Sequence, residues 1–231
     1  GIMKRYVLII PYFGKLPAYF PVFLHSIRRL TGGIILITND LHANKYELPD
    51  NFKVLPMEFK ELQERVRNIF SGILPTGYKL CDYRPAYADL FPELVSGYEY
   101  WGYCDLDTLM GDVDGFLSKV EFTRYDRIGK KGHFTLYRNI PKINKLYLTK
   151  DKSGFCEFDH VKRTTFPCNF DERGMNHICK EEGIRFMEDF EHVGTEDCHS
   201  LHFHTFDNVQ VGEVIPQLFT WEDGRVFLYE Q

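Results

Sequence analysis

The sequence predicts an α/β fold with a central, mainly parallel sheet flanked by helices and carrying one antiparallel element. Three observations lead there. The runs YVLII (residues 6–10) and IILIT (34–38) are apolar and β-branched without polar alternation, the pattern of strands covered on both faces. Between them Pro21 opens a helical segment in which Val22, Leu24, Ile27 and Leu30 are apolar over successive turns. Further on, an aromatic strand over 98–104 runs directly into Asp105-Leu106-Asp107. A β-α-β opening favours parallel strands joined by right-handed crossovers.

The other elements follow in order. Residues 52–57 read as a third strand and 59–69 as a polar amphipathic helix. Residues 85–94 read as a short helix interrupted near Pro92, 113–120 as a helix and 134–138 as a strand. Beyond Asn139 the pattern weakens to a helix over 170–182 and strands over 201–206 and 226–229. No internal repeat or Pro/Ser-rich linker divides the chain, so residues 1–231 are expected to form one domain.

Composition narrows the function. The 231 residues are 44% hydrophobic and 26% charged, which is ordinary globular material rather than a disordered chain. Net charge is −5 and no Lys/Arg block forms a basic stripe, which argues against a polynucleotide partner. The six cysteines at 81, 104, 156, 168, 179 and 198 contain no C-x-x-C pair and read as reduced thiols of a cytoplasmic protein. The apolar run at 6–10 is too short for a signal peptide, and no stretch approaches the length needed to cross a bilayer.

The strongest chemical signal is W-G-Y-C-D-L-D, residues 101–107. In an extended chain the side chains of Asp105 and Asp107 point to one face. Two adjacent carboxylates repel unless a positive charge stands between them, and a hard divalent cation such as Mg²⁺ or Mn²⁺ suits such a pair. In open α/β sheets, ligands bind outside the carboxyl ends of the strands, where this pair falls. A solvated turn, with Asp107 or Asp112 capping the next helix, is the competing reading.

The segment K-L-C-D-Y-R-P-A-Y-A-D-L-F (79–91) followed by Y-W-G-Y-C-D-L-D resembles the helix-then-D-x-D layout of GT-A glycosyltransferases. I-P-Y-F-G-K-L-P-A-Y-F-P-V-F-L-H-S (10–26) and G-H-F-T-L-Y-R-N (132–139) resemble a small bacterial family assigned to that superfamily. The resemblance covers roughly the first two-thirds of the chain. It implies a GT-A-like (Rossmann-like) domain whose nucleotide-sugar half spans about 1–110 and whose acceptor half spans about 111–231. The reaction it implies moves a hexosyl-type group from a nucleoside-diphosphate sugar, UDP by superfamily habit, to a hydroxyl of a glycan or glycolipid acceptor. The acceptor would belong to bacterial surface polysaccharide or lipopolysaccharide synthesis.

Site residues carry over by position. Pro11, Tyr12, Phe13 and Gly14 should line the nucleoside pocket, with Gly14 letting backbone approach the ligand. Asp40 should contact base or ribose, against a turn role shared with Asn39. Asp82 and Arg84 sit where relatives contact the nucleotide-sugar, against a salt bridge of Arg84 to Asp82 or Asp105. Lys79 is a weaker donor-site candidate, and His133 is another. Asp105 and Asp107 are the metal ligands, with His202 or His204, clustered with His199, as candidates for a third. Asp171 and Glu172, in F-D-E-R-G, are candidates for sugar binding or for the base that deprotonates the acceptor, against a role as helix N-terminal carboxylates. Two rivals remain. One is a GT-A-like binding module without turnover. The other is a haloacid-dehalogenase-type phosphatase, disfavoured because Thr108 stands one position early for D-x-D-x-T.

Overall fold

Unbroken apolar runs settle in the middle of a sheet because both pleated faces need cover. Strand β1 (Lys4–Pro11) does this: Val7 and Ile9 enter one core, while Tyr6, Leu8 and Ile10 enter the other. A computed structural model describes residues 4–151 and 156–188 in full, and the backbone alone of 193–197, 202–205, 217–222 and 225–230. After β1 come α1 (Phe20–Ile27), β2 (Gly33–Thr38), β3 (Phe52–Pro56) and α2 (Phe59–Phe70). Short helices α3 (Tyr87–Leu90) and α4 (Pro92–Val95) precede β4 (Tyr98–Cys104), β5 (Thr108–Met110) and α5 (Val113–Lys119). Then follow β6 (Arg127–Lys131), β7 (Phe134–Arg138), α6 (Pro141–Asn144) and α7 (Phe158–Val161). A π-type turn, Phe170–Gly174, leads into α8 (Met175–Glu181) and β8 (Phe186–Met187). The last strands are β9 (Val193–Asp197), β10 (His202–Thr205), β11 (Gln217–Glu222) and β12 (Arg225–Glu230).

Seven strands form the main sheet in the order β3-β2-β1-β4-β7-β6-β8. All run the same way except β7, which is antiparallel to both neighbours. The expected mainly parallel sheet with one reversed strand is therefore present, and it is compatible with a Rossmann-like fold. β7 reverses because it leaves β6 through the tight connection at Gly132-His133. It lies so close to β4 that a side chain at Gly102 would strike the Thr135 carbonyl.

Helices cover both faces. α2 presents Leu62, Val66 and Phe70, at helical spacing, to the core shared with Val7 and Ile9. Each such side chain contributes about 1.5–3 kcal/mol on burial. α1 covers the opposite face with Phe20, Phe23, Leu24 and Ile27. Val22, read from sequence among the apolar positions of this helix, lies on its outer side and is 49% exposed. The predicted helix over 85–94 is broken at Phe91 into α3 and α4, as Pro92 anticipates. Outside the main sheet, β5, β9 and β10 form a three-stranded sheet and β11–β12 a hairpin. Among the described residues, no helix is long and apolar enough to cross a membrane.

Candidate functional site

The chain passes from β1 to β2 on one side, while β4 pairs with β1 on the other. That makes the carboxyl ends of β1 and β4 a switch point, where open α/β sheets form ligand crevices. Asp105 and Asp107 stand there, one residue past β4 and one before β5. Leu106 between them is buried in the core, the chain turns at Leu106-Asp107, and Asp107 Oδ1 is itself buried. The Asp105 side chain is 36% exposed.

Arg84 meets Asp105. Its Nη2 donates to Asp105 Oδ1, and its Nη1 donates to Asp171 Oδ2 at 3.3 Å and to the Gly132 carbonyl at 3.1 Å. The guanidinium also lies 5.2 Å from the centre of the Tyr103 ring. Burial opposes its charge, but Asp105 and Asp171 outweigh that and hold it protonated. A side chain at Gly132 would strike Arg84, which explains a glycine at this spot. The sequence reading had left the Arg84–Asp105 salt bridge open, and it is formed.

Asp171 is 4% exposed. Burial first, then the neighbouring Glu172 and Asp105 charges, push its carboxyl up to about 7 against the opposing pull of Arg84. Glu172 Oε1 accepts the Gly132 amide at 2.9 Å and so pins the β6–β7 connection. Both acids sit in the π-type turn ahead of α8. His133 follows Gly132, and burial holds its imidazole down to about 4, so the ring is neutral at pH 7.

A hollow of about 500 Å³ is lined by Pro11, Tyr12, Phe13, Thr76, Gly77, Tyr78 and Leu80, with neither aspartate in its lining. That volume is in the range of small-ligand sites, about 300–1,000 Å³. Burial, Tyr78 and Asp107 together raise the Tyr12 phenol, which ties the hollow electrostatically to the acids. Tyr78, 87% exposed, was not singled out from sequence. Its one signal was a large aromatic in a Pro-Thr-Gly turn.

Two expected donor contacts are spent elsewhere. Asp40 Oδ2 accepts the Leu16 amide at 2.9 Å, and its Oδ1 accepts the His42 amide at 3.0 Å and lies 2.9 Å from the His42 ring. The amide bonds from Leu16 and His42 hold its carboxyl down to about 2. The turn role is the one observed. Asn39 Oδ1 accepts the Gly14 amide at 2.8 Å, so the two residues stitch the β1–α1 loop to the end of β2. Gly14 has φ +94° with open space where a side chain would go. The positive φ by itself favours glycine at this turn.

Lys79 and Asp82 are also corrected. Both side chains have 0% exposure and pair at 2.8 Å, so neither faces the hollow. Lys79 Nζ is within hydrogen-bond reach of the Val161 carbonyl (2.7 Å), Thr164 Oγ1 (2.7 Å) and the Phe166 carbonyl (3.0 Å). Asp82 accepts the amides of Cys168 (2.9 Å) and Phe170 (2.9 Å). This clamp straps residues 161–170 onto the 79–82 turn, and it thereby sets Asp171 against Arg84.

Behind Asp171 stands Arg127, fully buried and missed by the sequence reading. It donates to the Tyr137 hydroxyl at 3.1 Å, to Asn176 at 2.5 Å and to the Asp171 carbonyl at 3.2 Å. It holds the π-type turn by its backbone, which leaves the Asp171 side chain to Arg84.

The expected third metal ligand bears on the C-terminal strands. His204 pairs in register with Thr195, and Thr195 with Thr108, one residue past Asp107. His199 and the side chains of His202 and His204 lie outside the described residues. Among the described residues, no third His, Cys, Asp or Glu completes a three-donor set with the two aspartates.

Comparison with known families is decisive on one point. The sequence profile of a family of unknown function, DUF6625, matches residues 8–231. The chain belongs to DUF6625. A search of curated proteins finds no match. The match runs through the acidic pair, the clamp and the C-terminal strands alike, so the DUF6625 unit extends past the point where the glycosyltransferase resemblance fades.

Proposed function

We propose that the protein is a metal-dependent glycosyltransferase of GT-A type, transferring a sugar from a nucleoside-diphosphate sugar to a hydroxyl acceptor. The observation that carries this reading is that Asp105 and Asp107 follow β4 at the β1/β4 switch point, with Asp107 electrostatically coupled to Tyr12 in the lining of an aromatic hollow. Tyr12, Phe13 and Tyr78 offer ring faces to a base.

The charge balance supports a cation. Arg84 is set between Asp105 and Asp171, with Glu172 next to Asp171 in the chain and Asp107 two residues past Asp105. An incoming diphosphate would be repelled by so many carboxylates. The donor set, two carboxylates and no thiolate, suits Mg²⁺ or Mn²⁺, which Asp105 and Asp107 would hold. Such an ion supplies charge neutralisation to the diphosphate as it leaves.

The remaining work falls to the side chains. Arg84, already carried to the crevice and planar, has the reach to move from Asp105 to a phosphate oxygen. While its Nη1 stays on Asp171, that carboxyl keeps a proton affinity near neutrality, the range of a general base for the acceptor hydroxyl. Glu172 holds the Gly132-His133 connection, which carries a half-buried neutral imidazole.

A second reading has its own support. Arg84 against Asp105 is what a binding module without a metal would use to neutralise that carboxylate. Thermal shifts with nucleoside diphosphates, with and without Mn²⁺, separate the two. The transferase reading expects stabilisation by one nucleotide that requires Mn²⁺ and disappears in Asp107→Ala. Stabilisation that is indifferent to Mn²⁺ and to Asp107→Ala favours the module, and no response to any nucleotide overturns both.

A further inference from the structure

A different group of side chains has the geometry of a metal site. Asp151, in the segment after Leu146–Leu148, meets His177 and Glu181, one turn apart on α8. His177 Nε2 lies 3.3 Å from Asp151 Oδ1 and 3.2 Å from Glu181 Oε1. All three donor atoms fall within 4.8 Å of one another.

One ring nitrogen facing two carboxylates is an awkward hydrogen-bonding arrangement. Nε2 carries at most one proton and can direct it well at only one acceptor. Both spacings also exceed the roughly 2.7–2.9 Å of a charge-assisted N–H···O bond. They match something else. A tetrahedral ion with bonds of about 2.0–2.2 Å sets neighbouring donors about 3.3–3.5 Å apart. The two spacings from His177 are thus already close to edges of such a shell, and the third, Asp151 to Glu181, lies within 4.8 Å.

The surroundings hold the ligands in place. The Asp151 side chain is fully buried, and its other oxygen accepts the Cys156 amide at 2.6 Å. The Asp151 amide donates to Glu157 Oε1 at 2.9 Å. Outer hydrogen bonds of this kind orient ligands and fix their geometry. His177 and Glu181 are partly exposed, so water can enter as a fourth ligand and the ion can enter from solvent.

We propose that Asp151, His177 and Glu181 bind a first-row divalent metal ion of the Zn²⁺ type. One imidazole and two carboxylates form a donor set borderline in softness, which suits Zn²⁺ better than Mg²⁺. The ion ties α8 to Asp151. Because α8 continues directly from the turn bearing Asp171 and Glu172, the ion braces that turn from behind. Nothing in this assignment depends on the transferase reading, since no residue is shared with the acidic pair.

The test uses full-length protein stripped with EDTA and titrated with ZnCl₂, read by calorimetry and by thermal shift. Wild type, Asp105→Ala and Asp107→Ala are each expected to bind one Zn²⁺ per chain at this site with a rise in Tm. His177→Ala and Glu181→Gln are expected to lose that binding at least tenfold. Should His177→Ala fail to fold, Glu181→Gln, a change at a partly exposed position, still reads the site. The proposal is overturned if wild type shows no Zn²⁺-dependent shift, as an imidazolium between two carboxylates would predict. It is equally overturned if binding survives both His177→Ala and Glu181→Gln, or if it vanishes in the Asp105 and Asp107 variants while persisting in Glu181→Gln.

Discussion

Arg84 spans Asp105 and Asp171, one nitrogen donating to each, so a single guanidinium couples the acid at the tip of β4 to the acid in the turn before α8. Replacing it should therefore be felt at Asp171. In Arg84→Gln the attraction that opposes burial is gone, and the Asp171 carboxyl should rise further above about 7. Carboxyl-carbon NMR titration of the two proteins measures this, and an unmoved Asp171 would show that the coupling is absent.

Asp171 also sets a pH dependence. Unfolded, its carboxyl ionises near the ordinary 3.8, whereas folded it keeps its proton to about 7. Between those values the unfolded chain binds fewer protons, so stability falls as pH rises and levels off above the window. The cost at pH 8 is on the order of 4 kcal/mol. Urea midpoints across pH 4–8 should show this slope in wild type and a flatter one in Asp171→Asn. Asp40, held down to about 2, acts oppositely, contributing stability above about pH 4 that is lost as pH falls towards 2.

The Lys79–Asp82 clamp predicts a non-additive pair. Lys79→Met leaves Asp82 buried with its amide donors but no cation, at a cost of about 3–5 kcal/mol. Asp82→Asn strands the ammonium in the same way. The double variant should cost clearly less than the two singles together, because neither charge is left alone. Simple additivity in urea denaturation would refute the clamp.

Tyr78 should matter for ligand and not for folding. At 87% exposure, its loss in Tyr78→Ala should leave Tm within about a degree of wild type. If a base lies on the ring, nucleoside-diphosphate affinity should drop by about 1–3 kcal/mol, roughly five- to 150-fold. Calorimetric titration decides, and unchanged affinity removes Tyr78 from the pocket wall.

Much of the fold was legible because its signals are local. The strand over 98–104 and the strand over 134–138 coincide with β4 and β7, since dense aromatic and β-branched residues at fixed spacing leave little alternative. β6 was not legible: R-I-G-K-K is charged, and Gly129 takes φ +84° beside a register shift against β7. β8, two residues long, exists only through its pairing with β6. At the site, Asp105 and Asp107 stood out because their chemistry needs only adjacency. Lys79 and Asp82 were misplaced because a lysine's burial depends on acceptors more than eighty residues away, and no sequence window contains them. Arg127 escaped for the same reason, its partners being Tyr137, Asn176 and the Asp171 backbone.

Those distant acceptors also bear on how the molecule can be divided. A fragment ending near residue 110 would keep both acids and the aromatic hollow, yet it would lack every group outside its own turn that shelters the Lys79 ammonium. A fragment beginning after it would carry Asp171 with no guanidinium to meet. Protease nicking or domain-swapping experiments should accordingly find no functional boundary in the middle of the chain, because each portion stores the counter-ions of the other.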